Sequence, residues 1–597
     1  MNIKFSIQKS KIRIKPDDIT SNKWIMFRNE IKSISDSFDY DYSNNTASIS
    51  VNDFLSLMSY EQEYKDEYNV SFIKNKEIER IEIDNKIKEV RVSEKELINK
   101  LKKEGFKRTL TKHQLKNVLK MIRYNSAATF SVPGAGKTTE ALAFYAYKKN
   151  SNTKMIVVCP KNAFSSWDNE IDDCFQSHDS FFRIVFPSSQ VKTLLSLSNS
   201  NILVNYEKIR NIRNEIESYI NRIGAENAIM ILDESHRIKH GVEGITGRTL
   251  LSLNHLPKYK LILTGTPCPN SVEDLIGQFQ FLFPNQLYDN YNIVSKINDH
   301  YCRTTKNELG LPKARRYEDA IEMNQAQKDL YNTIVSEIAL QKKDFNLDDE
   351  IKVRKVRRCI MWLIQITSNP KLLLKLEDHD LIPSGLLAGA ESEKIRFACE
   401  EAEKLAAKGK KTLIWTNFTQ NVETLKLKLA HLGATFIDGS VKIANNDEEK
   451  LNNPNCREFR INQFLNSDKC FVMIANPAAA SESISLHKKC TNAIYVDRTY
   501  NAGQYLQSRD RIHRLGLSKH HIVSFVEPYH KGTVDEYIKV RLAEKIDLME
   551  QVLNDDSIQV SPKGWDEYYA DDSEDFSDEA IPGEEIEDIM NYVKPID

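Results

Sequence analysis

The sequence predicts an α/β protein: two parallel-sheet lobes with a helical insertion between them, preceded by an α+β accessory module. Three features point there. Short apolar runs alternate with helix-like segments in two blocks, residues 106–287 and 385–553. A Gly-rich loop over residues 130–139 stands between an apolar run and a helix-like stretch. Another apolar run, residues 228–232, ends in the acid pair Asp233 and Glu234. Residues 1–105 then form the accessory module, 288–384 the insertion and linker, and 554–597 an acidic tail expected to be disordered.

Composition bounds the possibilities. A chain of 597 residues with 41% hydrophobic content can bury several separate cores. Nine scattered cysteines without a C-x-x-C pair argue against a zinc ribbon or a disulfide scaffold. No uninterrupted apolar run has membrane-spanning length, so a cytoplasmic protein with no membrane partner is expected. The net charge of −2 conceals a split: residues 565–591 hold twelve Asp/Glu and no Lys/Arg, which leaves the remainder at +10. Such a balance suits a protein that touches phosphate backbones.

Taken in order, the accessory module shows strand alternation over residues 2–7 and 12–14. Phe54, Leu55, Leu57 and Met58 follow Ser50 at near-helical spacing. It carries no chemical constellation and reads as a docking or DNA-guiding domain. Gln114, just upstream of the Gly-rich loop, is the expected adenine reader, because an amide offers both a donor and an acceptor.

The loop reads V-P-G-A-G-K-T over residues 132–138. Gly134 and Gly136 let the backbone close around phosphates, with Ala135 between them. Lys137 supplies charge to the β and γ phosphates, the Thr138 hydroxyl is a ligand for Mg²⁺, and Thr139 completes the ATP-binding set. Ser131 occupies the place where the commoner pattern has a glycine. Asp233 is the expected Mg²⁺ partner and Glu234 the group that orients water; the pairing with Lys137 is what gives these acids their weight.

Strand-like runs at 155–159, 202–204, 229–232 and 261–263 complete the first block, and T-G-T-P at 264–267 is a hydroxyl-bearing turn able to sense the nucleotide. The second block has runs at 412–415, 471–474, 493–496 and 522–525. In Q-S-R-D-R-I-H-R, residues 507–514, Arg511 and Arg514 share one helical face and could reach a γ-phosphate from the opposite lobe on closure.

As an ordered set these motifs resemble the helicase-type ATPases of superfamily 2, and specifically the Swi/Snf-type double-stranded DNA translocases. More particular resemblances are V-V-C-P-K at 157–161 with Trp167 and Glu170, N-Y-E at 205–207, D-E-S-H-R-I-K at 233–239, Q-I-T-S-N-P at 365–370, D-G-S at 438–440 and K-G-T-V-D-E at 531–536. The resemblance spans about residues 107–553. Departures at 479–486, where family glycines are missing, at Ala502 and in the phosphate loop mark a divergent member.

The resemblance implies RecA-like lobes that clasp ATP and Mg²⁺, and duplex DNA crossing both lobes with sequence-tolerant backbone contacts from Lys161, Tyr206, Thr416 and Asn417. It implies a DNA-stimulated ATPase that translocates without strand separation, remodelling DNA-bound proteins or serving repair or phage defence. Protein partners are expected at the accessory module or the acidic tail. The alternatives are a strand-separating DNA or RNA helicase, and a nucleotide- and DNA-binding recruiting subunit with little turnover.

Overall fold

The computed structural model describes the chain except residues 9–10, 36–37, 51–52, 55–56, 59–60, 75–91, 178–180, 199, 285, 287, 291–292, 313, 343–344, 348, 376–386, 388–389, 443–451, 481–484, 519–520, 554–582 and 597. Residues 1–74 close on a core of their own. β1 (Asn2–Gln8) and β2 (Lys11–Pro16) pair antiparallel and are followed by α1 (Asn22–Ile34), β3 (Asp39–Asp41), β4 (Thr46–Ser50), α2 (Glu61–Tyr68) and β5 (Ser71–Lys74). The sheet order is β3-β4-β2-β1-β5. Alternation sends Ile3, Phe5, Ile12 and Ile14 to one face, where they join Trp24, Phe27 and Ile31 of α1. The predicted strands at 2–7 and 12–14 are these two.

The boundary expected at 105 lies earlier. α3 (Glu94–Lys103), closed by a capping box between Ser93 and Glu96, sends Leu97 and Leu101 into the core of the front lobe, beside Phe106, Val118 and Phe144. Its two buried leucines sit four apart, one helical turn, so the helix belongs with the lobe it packs against.

Front-lobe strands are β6 (Ser126–Thr129), β7 (Lys154–Val158), β8 (Phe181–Arg183), β9 (Asn201–Val204), β10 (Ala228–Asp233), β11 (Tyr259–Leu263) and β12 (Tyr301–Cys302). They form one sheet, β12-β6-β11-β10-β7-β9-β8, in which every neighbouring pair is parallel. Runs such as K-M-I-V-V and N-I-L-V are buried along their whole length, as a sheet covered by helices on both faces requires. The helices that matter for the site are α4 (Lys112–Met121), α5 (Lys137–Lys148), α6 (Phe164–Cys174), α7 (Tyr206–Asn211) and α8 (Asp274–Leu282).

The rear lobe repeats the plan with β13 (Ala314–Tyr317), β14 (Lys411–Trp415), β15 (Thr435–Ile437), β16 (Val472–Ala475), β17 (Cys490–Tyr495) and β18 (Val523–Val526). Their order is β13-β18-β17-β14-β16-β15, again parallel throughout. α9 (Gln325–Lys342) and α10 (Glu350–Ser368) form the helical insertion; α11 (Glu393–Ala407), α12 (Ala502–Arg509) and α13 (Val534–Leu553) belong to the rear lobe. Two parallel-sheet α/β lobes with a mixed-sheet module in front are therefore the fold.

Two expectations need correction. Residues 288–384 are not wholly helix and linker, since they contribute the edge strand β12 to the front sheet and β13 to the rear one. Two residues and the charged run A-R-R-Y are too short and too polar to register as strands. The tail is not wholly disordered either. Residues 583–592 form α14 (Gly583–Tyr592), whose Ile586, Ile589 and Met590, with Val593, are buried against α9, α10 and α13. Asn332 and Ile596 exchange two hydrogen bonds of 2.9 and 2.8 Å, and Tyr592 donates to Glu536 at 3.2 Å. Residues 554–582, which carry most of the acid run, lie outside the described residues.

Candidate nucleotide site at the seam between the lobes

The front half of the site is assembled at the C-terminal edge of the front sheet, where the loops after β6 and β10 meet. Gly134 and Gly136 both take positive φ, 87° and 89°, and the second opens α5. A Cβ on Gly136 would stand 2.2 Å from the Gln114 amide nitrogen, so only glycine leaves room for that approach. Gln114 is 8% exposed; its amide nitrogen donates to the Ala135 carbonyl at 3.2 Å and its oxygen accepts from the Thr111 backbone at 3.0 Å. The residue expected to read adenine thus also fixes the shape of the phosphate loop, and by valence each amide atom keeps one position for a ligand.

The Lys137 ammonium donates to the Ser131 carbonyl at 3.0 Å. Burial lowers its pKa, and Glu234, Asp233 and Asp510 act against that. Behind the loop lies a buried polar cluster that sequence reasoning missed. Glu140, fully buried, accepts from Asn117 at 2.8 Å and from Thr129 at 2.9 Å. The Ser131 hydroxyl oxygen accepts from Asn117 and the Thr304 backbone N–H at 3.3 and 3.0 Å, and it lies 3.1 Å from the Thr129 hydroxyl. Burial pushes the Glu140 carboxyl up to about 7, against its donors and Lys137. The serine that replaces the usual glycine therefore bolts the loop to its own sheet, and the acid in K-T-T-E was the available signal.

Asp233 receives the Trp167 indole N–H at 2.9 Å on one oxygen and the Glu234 backbone N–H at 3.1 Å on the other. Its main-chain carbonyl accepts the Tyr206 hydroxyl at 2.7 Å. Burial, then the neighbouring Glu234, raises its pKa. Glu234 stands at φ 53°, ψ 53°, left-handed geometry that is uncommon for a residue with a side chain and concentrates at functional sites. His236 lies 3.0 Å from the Thr264 hydroxyl and 3.5 Å from the Glu234 carboxylate. The next residue of that turn, Gly265, would carry a Cβ 2.9 Å from Pro133 and 3.6 Å from the Lys137 nitrogen. The T-G-T-P turn thus touches both the acid pair and the phosphate loop. Thr138 stands in the first turn of α5, and the Thr139 hydroxyl is turned instead to Glu170, which also pairs with Arg108.

The rear lobe closes over this edge. Arg514 lies against the phosphate loop, for a Cβ on Gly134 would fall 3.0 Å from its Cγ and 3.3 Å from its Nε. Burial disfavours the charged guanidinium there and Asp510 favours it. Arg511 is buried, with Nε donating to the Gln507 carbonyl at 2.9 Å. Gly503 packs on the T-G-T-P turn, its Cβ position 3.3 Å from the Thr266 hydroxyl. Between the lobes the chain forms a strap. Val132 donates its backbone N–H to the Thr304 carbonyl at 3.1 Å, Lys306 pairs with Asp510, and the Pro312 carbonyl lies 2.7 Å from His513. One stretch of backbone therefore touches the phosphate loop at one end and the arginine segment at the other.

The four residues expected at DNA are placed unequally. Lys161 is exposed after β7. Tyr206 is 2% exposed, with its hydroxyl on Asp233, and Thr416 is fully buried, donating to Asp497 at 2.7 Å. Neither offers a group to solvent. The Asn417 backbone N–H donates to Asp497 at 2.6 Å, while its buried side-chain nitrogen has no partner among the described residues. The same Asp497 accepts from Ser368 at 2.9 Å, which ties the 365–370 segment to the rear sheet. Of the divergent 479–486 loop, residues 481–484 lie outside the described residues.

A phosphate-loop lysine, a strand-end acid pair and an arginine from a second parallel sheet, all meeting at one seam, define a two-lobed nucleotide-binding protein of the helicase type. Residues 130–372 match the SNF2-related domain and residues 393–516 the helicase conserved C-terminal domain, so the chain carries the two domains in that order. It is 24% identical to the CHD3-type chromatin-remodeling factor CHR7 of Arabidopsis thaliana, over 72% of this chain and 36% of that protein. It is 25% identical to the SWI/SNF chromatin-remodeling complex subunit snf22 of Schizosaccharomyces pombe, over 74% and 28%. The chain thus spans about a third of the length of these curated relatives. A solved structure it resembles is the Sulfolobus solfataricus SWI2/SNF2 ATPase core in complex with dsDNA, with 21% identity, coverage of 76% and 95%, and a TM-score of 0.32.

Proposed function

We propose that the chain hydrolyses ATP and uses the energy to move along double-stranded DNA without separating its strands. The observation that carries this reading is the closed seam, with Arg514 against Gly134 on the same loop as Lys137 and across from Asp233 and Glu234. The residues fit a Mg²⁺-nucleotide: two positive-φ glycines shape a cradle that a side chain would fill, and the half-buried Lys137 ammonium sits beside it. In that reading Thr138 and Asp233 hold the metal, which when bound neutralises phosphate charge.

The chain's own groups supply the rest. Backbone N–H groups of residues 134–139 grip the phosphates, Gln114 engages the adenine edge, and Lys137 exchanges the Ser131 carbonyl for a phosphate oxygen. Glu234 orients water, with Thr264 and His236 at its flank, and Arg514 and Arg511 add positive charge where negative charge develops. The site is complete only when the lobes are together, so hydrolysis is tied to their closure, and DNA gripped by both lobes is carried by that motion. Remodelling of DNA-bound proteins is the use we propose, in keeping with the names of the curated relatives.

The test measures ATP turnover without nucleic acid, with single strands and with duplex, in the wild type and Lys137→Ala. Duplex should stimulate the wild type most, and the variant should fall to background. Equal stimulation by single strands together with displacement on a forked duplex would instead identify a strand-separating helicase. Binding without turnover would identify a recruiting subunit.

A further inference from the structure

Among the described residues, helices cover one face of the accessory sheet and none covers the other. On the bare face the two central strands present Lys4 from β1 and Lys11, Arg13 and Lys15 from β2. The three lysines are exposed, and the Arg13 side chain lies along the sheet with Nε donating to Thr46 at 3.2 Å. Their neighbours on this face are Ser6, Ser48, Thr46 and, opposite Lys4 on β5, the exposed Ile73. The acids that share the face, Asp39 and Asp41, lie on the edge strand β3. Lys4 and Lys15 stand directly opposite one another in the β1–β2 ladder. Like charges so placed are destabilising. Among the described residues none of the four cations has an ion-pair partner, whereas Lys65 and Lys74 on the helix side share Glu61.

A sheet gains nothing from such an arrangement unless the charge is used. We infer that this face is a second nucleic-acid contact, binding the phosphate backbone of the duplex on which the lobes act. The inference rests on the DNA-motor reading given above. Charge complementarity selects a polyanion, and the repeat of β2 fits a phosphate strand: alternate residues on one face are about 6.6–6.8 Å apart along the strand, and flexible stems let each head find its own phosphate. Ser6 and Ser48 leave the surface open and add donors. No group here is placed to read base edges, so the contact is sequence-tolerant.

The experiment uses the full chain with Lys4, Lys11, Arg13 and Lys15 all changed to Gln. Binding to a fluorescent duplex is followed across a salt series with no nucleotide present, and ATP turnover is measured without DNA. Each lost phosphate contact should reduce the slope of log affinity against log salt by about 0.9, so the slope should drop by about 3–4. Affinity at low salt should fall by about tenfold or more, with DNA-free turnover unchanged. Ser6→Glu with Ser48→Glu, which adds opposing charge to the same face without removing a lysine, should weaken binding in the same direction. Wild-type slope and affinity in both variants would overturn the inference. So would tighter DNA binding by the Gln variant, the result expected if the acidic residues between 565 and 582 of the chain itself cover this face. Failure of the motor reading shows elsewhere, as absent turnover in the wild type.

Discussion

Glu234 shows how the site is prepared residue by residue. Its left-handed backbone is held by the residue before it, for the Asp233 carbonyl and both carboxylate oxygens are bonded to Tyr206, Trp167 and Glu234 itself. Local strain is thus balanced by two bonds from outside the loop, those of Tyr206 and Trp167, and one within it. Lys260 is a different case, a buried amine with no carboxylate partner among the described residues. It is 5% exposed, donates to the Asn254 carbonyl at 3.0 Å, and burial brings its pKa down to about 7. Between that value and the ordinary 10.5, the unfolded chain holds a proton the folded protein has shed, so this group makes stability rise with pH across the window. Lys260→Met should remove that part of the slope. Melting temperatures followed from pH about 7 to about 9 should rise less in the variant than in the wild type; equal rises would show that Lys260 titrates normally.

At the scale of elements, the sheet strands were the most legible. Runs predicted at 155–159, 202–204, 229–232 and 261–263 lie within a residue or two of β7, β9, β10 and β11, because strands buried on both faces are apolar without interruption. The phosphate loop and acid pair were legible for another reason, since their backbone geometry and charge demand particular residue types. What escaped was anything whose partner is remote. Nothing in N-Y-E at 205–207 or T-N at 416–417 says which way Tyr206 or Thr416 faces, and both face inward. The acid content of residues 565–591 masked the spacing of Ile586, Ile589, Met590 and Val593, which is helical once the acids are seen as its solvent side. Ile589 is fully buried, so Ile589→Ala should cost about 2–5 kcal/mol by denaturant unfolding. The exposed Glu587→Ala should stay within about 0.5 kcal/mol of the wild type. No loss for Ile589→Ala would return α14 to the tail.

At the scale of the molecule, the lobes are linked by more than contact across a cleft. The strap from Thr304 to Pro312 reaches the phosphate loop at one end and the arginine segment at the other, through the pair Lys306 and Asp510. Lys306→Met should leave duplex affinity near the wild type while loosening the placement of Arg511 and Arg514. Coupling of roughly 0.5–2 kcal/mol corresponds to a fall of about 2- to 30-fold in duplex-stimulated kcat. Lys306→Arg should restore most of it. An unchanged kcat in the Met variant would make the strap a passive tether.

The parallel pairing of β13 with β18 sets a condition on how the protein is made. Ala314 meets Val523, so an edge of the rear sheet must wait for some two hundred residues before its neighbour leaves the ribosome. Until then Ala314–Tyr317 is an unclaimed strand, and its two arginines guard it against strand partners from other chains. A nascent chain stopped before residue 523 therefore has a finished front lobe and a rear lobe with no place for its first strand. Quality control during synthesis would meet the two halves of this protein at very different ages.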